Sequence, residues 1–211
     1  MDKFVITINR QFGSGGHEVG DLRAKRLGVK IIDKEVAQAI AKKFEMTQEE
    51  FDKIDYRKPS WWEEFTMFYS PFATMGSQRT TVDKAVTSRQ MYLEQTELLK
   101  KLAEEESCIV IGRCAFHIFR NHPHSVRVFV HGSEERRLKH AMEYFKVGEE
   151  EARKMMEDTD KKRYDYIKKY TGTSGYDVRN YDFTFNADEL SIEEMADIIY
   201  DHLARKVDLK A

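Results

Sequence analysis

Cysteine and proline are both scarce in this sequence, and no apolar run is long enough to span a bilayer. Two cysteines, Cys108 and Cys114, stand six residues apart without C-x-x-C spacing. A disulfide framework is excluded, and zinc or thioredoxin-like redox readings start weak. Reduced thiols are expected. Three prolines and no low-complexity tract exclude a Pro-rich or disordered chain. Charge of one sign is missing too, since 35 basic residues meet 37 acidic ones. No global field draws the chain to nucleic acid, which is not expected as a partner. The opening MDKFVITINR lacks the flanks and cleavage site of a signal peptide. A cytoplasmic protein with no membrane partner is the expectation.

What is present is a 211-residue chain, 41% hydrophobic and 34% charged, long enough for one sizeable core. A single domain over 1–211 is expected. Phe4 to Ile8 (FVITI) is a continuous apolar run of the kind a central parallel strand needs when both its faces are covered. A glycine-rich turn follows it. Residues 16–27 then carry Val19, Leu22 and Leu27 at near-helical spacing, with Gly28 as C-cap. Further strands are expected at Val29 to Ile32, Cys108 to Ile111, Val126 to Val130 and Tyr181 to Asn186. Helices are expected over Lys34 to Phe44, after the capping box Thr47 to Glu50, over 82–105, from Arg113 to Asn121, behind the cap Ser133, over Glu149 to Tyr170, and behind the capping box Ser191 to Glu194. Strands alternating with helices imply a parallel sheet. Residues 59–76 hold Trp61, Trp62, Phe65, Phe68, Tyr69 and Phe72; a core-capping helix and loop is the plain reading, a substrate cover or the interface of a homo-oligomer the sharper one.

The turn RQFGSGGHEVG sits where backbone N–H groups and the positive end of a helix dipole converge, which suits phosphate. Gly13, Gly15 and Gly16 can take positive φ, and Ser14 can add a hydroxyl donor. Against G-x-x-x-x-G-K-[ST] the second glycine falls on Gly16, leaving Gln11, His17 and Glu18 at the other fixed positions. A dinucleotide fingerprint starting at Gly13 loses its third glycine to Glu18, although Asp33 stands at the spacing of the ribose acid. A turn that only connects strand to helix is the bland alternative.

Four segments carry a resemblance to a known family. ITINRQFGSGGHEVG stands for the phosphate loop, VIGRCAFHIFRNHPHSVRVFVHGSEERRLKHAM for a strand, helix, strand and Ser-Glu-Glu-Arg helix, DTDKKRYDYIKKY for a lid with a D-x-x-R core, and NYDFTFNADELSIEEM for the closing strand and helix. Together they resemble the cytidylate kinases, and more closely a group of bacterial cytidylate-kinase-like proteins. The resemblance implies a P-loop NTPase-like α/β fold: a parallel sheet with helices on both faces, a helical acceptor-side insertion over 44–106 and a lid over about 148–172. It implies transfer of the γ-phosphoryl group of ATP, with Mg²⁺, to a nucleoside monophosphate of the CMP or dCMP kind or a related small phosphate. Carried over by position, Arg113 grips the acceptor phosphate, Asp160 holds the acceptor nucleoside and Arg163 clamps phosphate from the lid. His17, Arg113 and Arg163 are the expected catalytic set, Gly13 to Glu18 the phosphate-binding set, and Asp33, Arg113, Asp160 and Arg163 the acceptor-binding set.

Departures from the family matter as well. His17 stands for the lysine, and an imidazole carries little charge near neutral pH by its reference value. Glu18 and Val19 stand where a hydroxyl helps hold Mg²⁺, Cys114 replaces an aspartate, and IDKEVAQ from Ile32 to Gln38 replaces small and hydroxyl residues. Two alternatives therefore stand beside the kinase reading: a nucleotide-binding regulator that has lost catalysis, and a P-loop kinase of another small molecule. His117, His122 and His124 lack supporting ligands for zinc, so no metal-ligating set is expected. Arg127, Arg136 and Arg137 are expected to face solvent.

Overall fold

The computed structural model describes residues 2–32 and 88–209. The helix expected over Lys34 to Phe44, the box at Thr47 to Glu50, the aromatic segment 59–76, Asp33 and most of the 44–106 insertion lie outside the described residues. Five strands form one sheet: β1 (Val5–Arg10), β2 (Lys30–Ile32), β3 (Cys108–Ile111), β4 (Ser125–His131) and β5 (Phe183–Asn186). Their order is β2-β3-β1-β4-β5, and every pairing is parallel, with Ile8 beside both Ile111 and Val128. The helices are α1 (Gly16–Leu27), α2 (Ser88–Glu105), α3 (Ala115–Ile118), α4 (Glu134–Phe145), α5 (Glu149–Thr171) and α6 (Ile192–Leu203).

The period of two along β1 divides the core. Phe4, Ile6 and Ile8 pack with Val19 of α1 and with Met195, Ile199 and Leu203 of α6, whereas Val5 packs with Met91, Leu99 and Ala103 of α2. Helices therefore cover both faces, which is why β1 reads as unbroken apolar sequence. A third cluster stands apart from the sheet: Phe12 with Leu138 and Ala141 of α4 and Ala152 and Met156 of α5.

Local signals act where they were expected. Gly28 closes α1 at φ +64°, its N–H reaching Ala24 O. Ser133 accepts from Arg136 N at the head of α4, and Ser191 with Glu194 forms a reciprocal capping box on α6. Cys108 and Cys114 are buried thiols, and burial pushes the Cys108 thiol up to about 12.

Some boundaries differ. β1 runs on through Asn9 and Arg10, which stay paired with Phe129 and Val130 of β4; Asn9 is polar yet buried because its amide donates to Tyr181 Oη. The helix expected to reach Asn121 is the single turn α3, after which the chain turns ahead of Pro123, whose ring disfavours helical geometry in the residue before it. β5 begins at Phe183 because Val178 to Asn180 form a 3-10 turn that caps at Tyr181.

Candidate functional site

The loop Gln11 to Glu18 joins the end of β1, the central strand, to α1. Gln11 N–H donates to Val130 O at 3.0 Å, keeping the loop in line with the sheet. Gly13 and Gly15 take φ of +74° and +83°. Crowding is a second reason for these glycines. A Cβ on Gly13 would lie 2.4 Å from the backbone oxygen of Arg137, one on Gly15 2.6 Å from Ile192 Cδ1, and one on Gly16 2.8 Å from Arg10 Cβ. Gly15 is the N-cap of α1 and offers no side chain to its first N–H groups. Those donors, at the positive end of the helix, are what an anion needs.

Ser14 is spent inside the protein. Its hydroxyl, 1% exposed, lies 2.9 Å from Gln11 O and 3.1 Å from Val130 O, so its one proton braces the loop instead of facing the cradle. His17 Nδ1 lies 2.9 Å from Asp21 Oδ2 one turn on, on the exposed side of α1. Glu18 Oε1 lies 2.9 Å from His140 Nε2 of α4. Burial alone would raise the Glu18 carboxyl, but the His140 hydrogen bond, its own backbone amide and the nearby imidazoles together hold it below its ordinary value. Neither residue reproduces the lysine and hydroxyl of the usual loop.

Arg113 follows β3, which lies beside β1. Gly112 N–H donates to Ile8 O at 2.9 Å, and Gly112, Arg113 and Cys114 have φ of +70°, +55° and +55°. Two consecutive non-glycine residues in the left-handed region store strain that neighbours must hold. Gln95 of α2, 2% exposed, is one such neighbour. Its Nε2 donates to Arg113 O at 3.1 Å and lies 3.4 Å from Tyr166 Oη of α5, while its Oε1 accepts from Arg113 Nη1 at 3.3 Å. Arg113 itself is 4% exposed.

Asp160 and Arg163 sit one turn apart on α5, with side chains 15% and 14% exposed, and both reach the loop. Asp160 Oδ1 accepts from Phe12 N–H at 2.8 Å and its Oδ2 from Arg137 Nη1 at 2.7 Å. Arg163 Nη1 lies 3.5 Å from Asp160 Oδ1, donates to Arg10 O at 3.3 Å, and its Cζ stands 6.0 Å from the Phe12 ring centre. Arg137 is thus not a solvated surface residue: besides Asp160 it bonds Phe12 O at 3.1 Å. Arg136 likewise bonds Ala187 O at 2.6 Å, and Arg127 pairs with Asp182 at 2.8 Å. These corrections share one cause. An arginine at a strand or helix end can reach a neighbouring carbonyl or carboxylate that composition does not reveal.

Reading by motif also passed over Phe12, Gln95, His140 and the relay behind the loop. In that relay Asn9 Nδ2 donates to Tyr181 Oη at 2.7 Å, and Tyr181 donates to Gly175 O at 2.6 Å. Burial pushes the Tyr181 phenol above its ordinary range, so it stays a donor. A signal existed for α4: Arg137, His140 and Tyr144 fall at i, i+3 and i+7, one helix face. Among the described residues no group of three or more His, Cys, Asp or Glu side chains could hold a metal ion. The groove of about 580 Å³ along α4 is rimmed by Glu134, Glu135, Glu143 and Glu149 with Lys139 and Arg153, an acidic setting unsuited to phosphate.

An all-parallel sheet with a glycine-rich turn after its central strand, and arginines brought to that turn from α4 and α5, places the chain in the class of P-loop-type folds. Comparison with known proteins narrows the class. The model of the cytidylate kinase-like family matches residues 5–189, and the chain belongs to that family. Among solved structures it is similar to an uncharacterized protein from Eubacterium ventriosum ATCC 27560, at 24% identity and a TM-score of 0.70 over 96% of this chain and 99% of that one. It is similar too to shikimate kinase from Bacteroides thetaiotaomicron, at 15% identity and a TM-score of 0.50 over 95% and 98%. At such identities the likeness shows the fold. A search of curated proteins finds no match. Family and fold together support phosphotransfer as the reaction class. No helix among the described residues is long and apolar enough to cross a membrane.

Proposed function

We propose that the chain moves the γ-phosphoryl group of ATP to a small acceptor that already carries phosphate, a nucleoside monophosphate of the CMP or dCMP kind. The observation that carries this reading is a helix N-terminus that no side chain caps, with the half-buried guanidinium groups of Arg137 and Arg163 reaching the loop that leads into it. Two guanidinium groups meet one carboxylate there, Asp160, and the excess of positive charge suits a phosphate.

In this reading the N–H groups from Gly15 to Glu18 hold the donor phosphates, Arg163 neutralises charge as it spreads over the transferring group, and Arg113 grips the acceptor phosphate. Asp33, the residue after β2 in the sequence and outside the described residues, is assigned to the acceptor. Phosphoryl transfer asks the protein mainly for aimed cations and exclusion of water, and the arginines supply the cations. The donor set fits the phosphates of ATP. It fits Mg²⁺ only as an ion carried by those phosphates and water, because the Glu18 carboxylate is held by His140. When bound, Mg²⁺ supplies charge neutralisation across the donor phosphates. His17 stands beside the phosphates as a hydrogen-bonding group. The partners are a nucleotide and a small phosphorylated substrate in the cytoplasm, without nucleic acid or membrane; a homo-oligomer is compatible with this.

A second reading is favoured by one observation. His17 is tied to Asp21 and Glu18 to His140, as expected of a nucleotide-binding regulator that keeps the cradle without the catalytic lysine. A kinase of another small molecule is the third. A panel of nucleoside monophosphates with ATP and Mg²⁺, followed by ADP release, separates the three. Release with CMP or dCMP is expected. No release above the protein's own ATPase for any acceptor sinks the proposal, and tight ATP binding in that sample then favours the regulator. Release with a non-nucleotide acceptor alone favours the third reading.

A further inference from the structure

The resemblance gives Asp160 to the acceptor nucleoside, yet both its oxygens are engaged elsewhere. Oδ1 takes the Phe12 N–H and Oδ2 the Arg137 guanidinium. Arg137 in turn takes the Phe12 carbonyl. Both backbone groups of Phe12 are therefore held by one ion pair, as a neighbouring strand would hold them. The side chain of Phe12 is held as well: its ring is buried, stacks on Phe145 at 5.1 Å and 16°, and belongs to the cluster that joins α4 to α5. Next along the chain, Gly13 runs so close to the Arg137 carbonyl that no Cβ fits.

We infer that Asp160 is a positioning residue for the donor side of the site, fixing the phosphate loop by way of Phe12 and Arg137. Charge agrees with geometry. A lone carboxylate beside a phosphate loop would repel the ligand, but Asp160 is flanked by Arg137 and by Arg163 at 3.5 Å, so two cations meet one anion and the cluster stays net positive. Three charge-assisted contacts in a half-buried setting are stronger than their exposed counterparts. A consequence follows for α5. Its first half cannot leave the loop without releasing Phe12, so loop shape and lid position change together.

The nucleotide part of the test rests on the phosphotransfer reading; the exchange part does not. Amide hydrogen exchange at Phe12 is followed by NMR in the wild type, Asp160→Ala and Asp160→Asn. In parallel, calorimetry measures binding of a non-hydrolysable ATP analogue with Mg²⁺, and of CMP alone. Asp160→Ala removes an ionised hydrogen-bond acceptor, so the Phe12 amide is expected to exchange about tenfold faster relative to its β1 neighbours, and the ATP analogue to bind about tenfold more weakly. CMP affinity should change by no more than about twofold. Asparagine keeps an oxygen for the Phe12 N–H but loses the charge facing Arg137, so Asp160→Asn should restore most of the protection and less of the affinity. Unchanged Phe12 exchange in Asp160→Ala overturns the inference. So does loss of CMP binding with the ATP analogue unaffected, which returns Asp160 to the acceptor. If Asp160→Ala does not fold, nucleotide binding by Asp160→Asn decides: weaker binding of the ATP analogue with CMP affinity kept supports the inference, and any other pattern overturns it. If the wild type binds neither nucleotide, the phosphotransfer reading falls, and the exchange comparison still decides the Phe12 contact.

Discussion

A neutral amide, not a carboxylate, braces the left-handed turn at Arg113. Gln95 meets both the carbonyl and the guanidinium of that residue from within the core. Leucine at 95 would keep the volume and strand a buried carbonyl and a buried N–H. Gln95→Leu is expected to cost about 2–3 kcal/mol, measured by urea denaturation, and Gln95→Glu, which keeps an acceptor for the guanidinium, less. A Gln95→Leu protein as stable as wild type would show that the turn holds itself. Glu18 gives a pH test. Its folded carboxyl lies below the ordinary value because the His140 hydrogen bond and other contacts outweigh burial. A depressed carboxyl stabilises the fold fully above the unfolded glutamate value, and that contribution is lost as pH falls through the folded one. In His140→Gln burial acts with less opposition, so acid-side loss should begin at higher pH. Urea midpoints from ~pH 6 to ~pH 3 should separate the two proteins most at the upper end and converge at the lower. Parallel curves would count against the pairing.

Elements show why two glycines with similar φ are not equivalent. Gly28 at φ +64° has nothing within 4 Å of a built Cβ, whereas Gly13 at φ +74° has the Arg137 carbonyl oxygen at 2.4 Å. Gly28→Ala should cost only backbone strain, about 1 kcal/mol. Gly13→Ala must also push α4 off the loop and should cost at least ~3 kcal/mol, read as the difference in denaturation midpoints. Equal losses would mean that α4 yields freely. The same contrast explains what was legible. Helix α1, strand β3 and the caps at Gly28, Ser133 and Ser191 are set by periodicity and by residues within one turn, so they could be read directly. The loop's place after a buried strand was legible for the same reason. Its partners were not, because Phe12 meets Asp160 across 148 positions and Asn9 meets Tyr181 across 172. No local pattern encodes such distances. Arg137 was misread since an arginine between Arg136 and Leu138 looks solvated until the loop is placed against it.

At the scale of the whole molecule the described residues hold a core on each face of the sheet, a cluster of Phe12 with α4 and α5, and a fourth that gathers Cys114, Phe116, Phe129, Ile167 and Tyr181. Phe12 makes the loop a mechanical part of the α4–α5 unit as much as of the sheet. Phe12→Ala should remove about 3–5 kcal/mol of burial if its cost is felt globally. The separation of the Phe12 cluster from the sheet predicts something narrower: faster amide exchange along α4, the first half of α5 and the loop, with β3 and α2 near wild type, because local opening of that cluster leaves the sheet intact. Peptide-resolved hydrogen exchange measures this directly. Uniform acceleration across β3 and α2 would mean that the Phe12 cluster and the sheet core unfold as one, and the loop would then be coupled to the entire fold instead of to the helices that carry Arg137, Asp160 and Arg163.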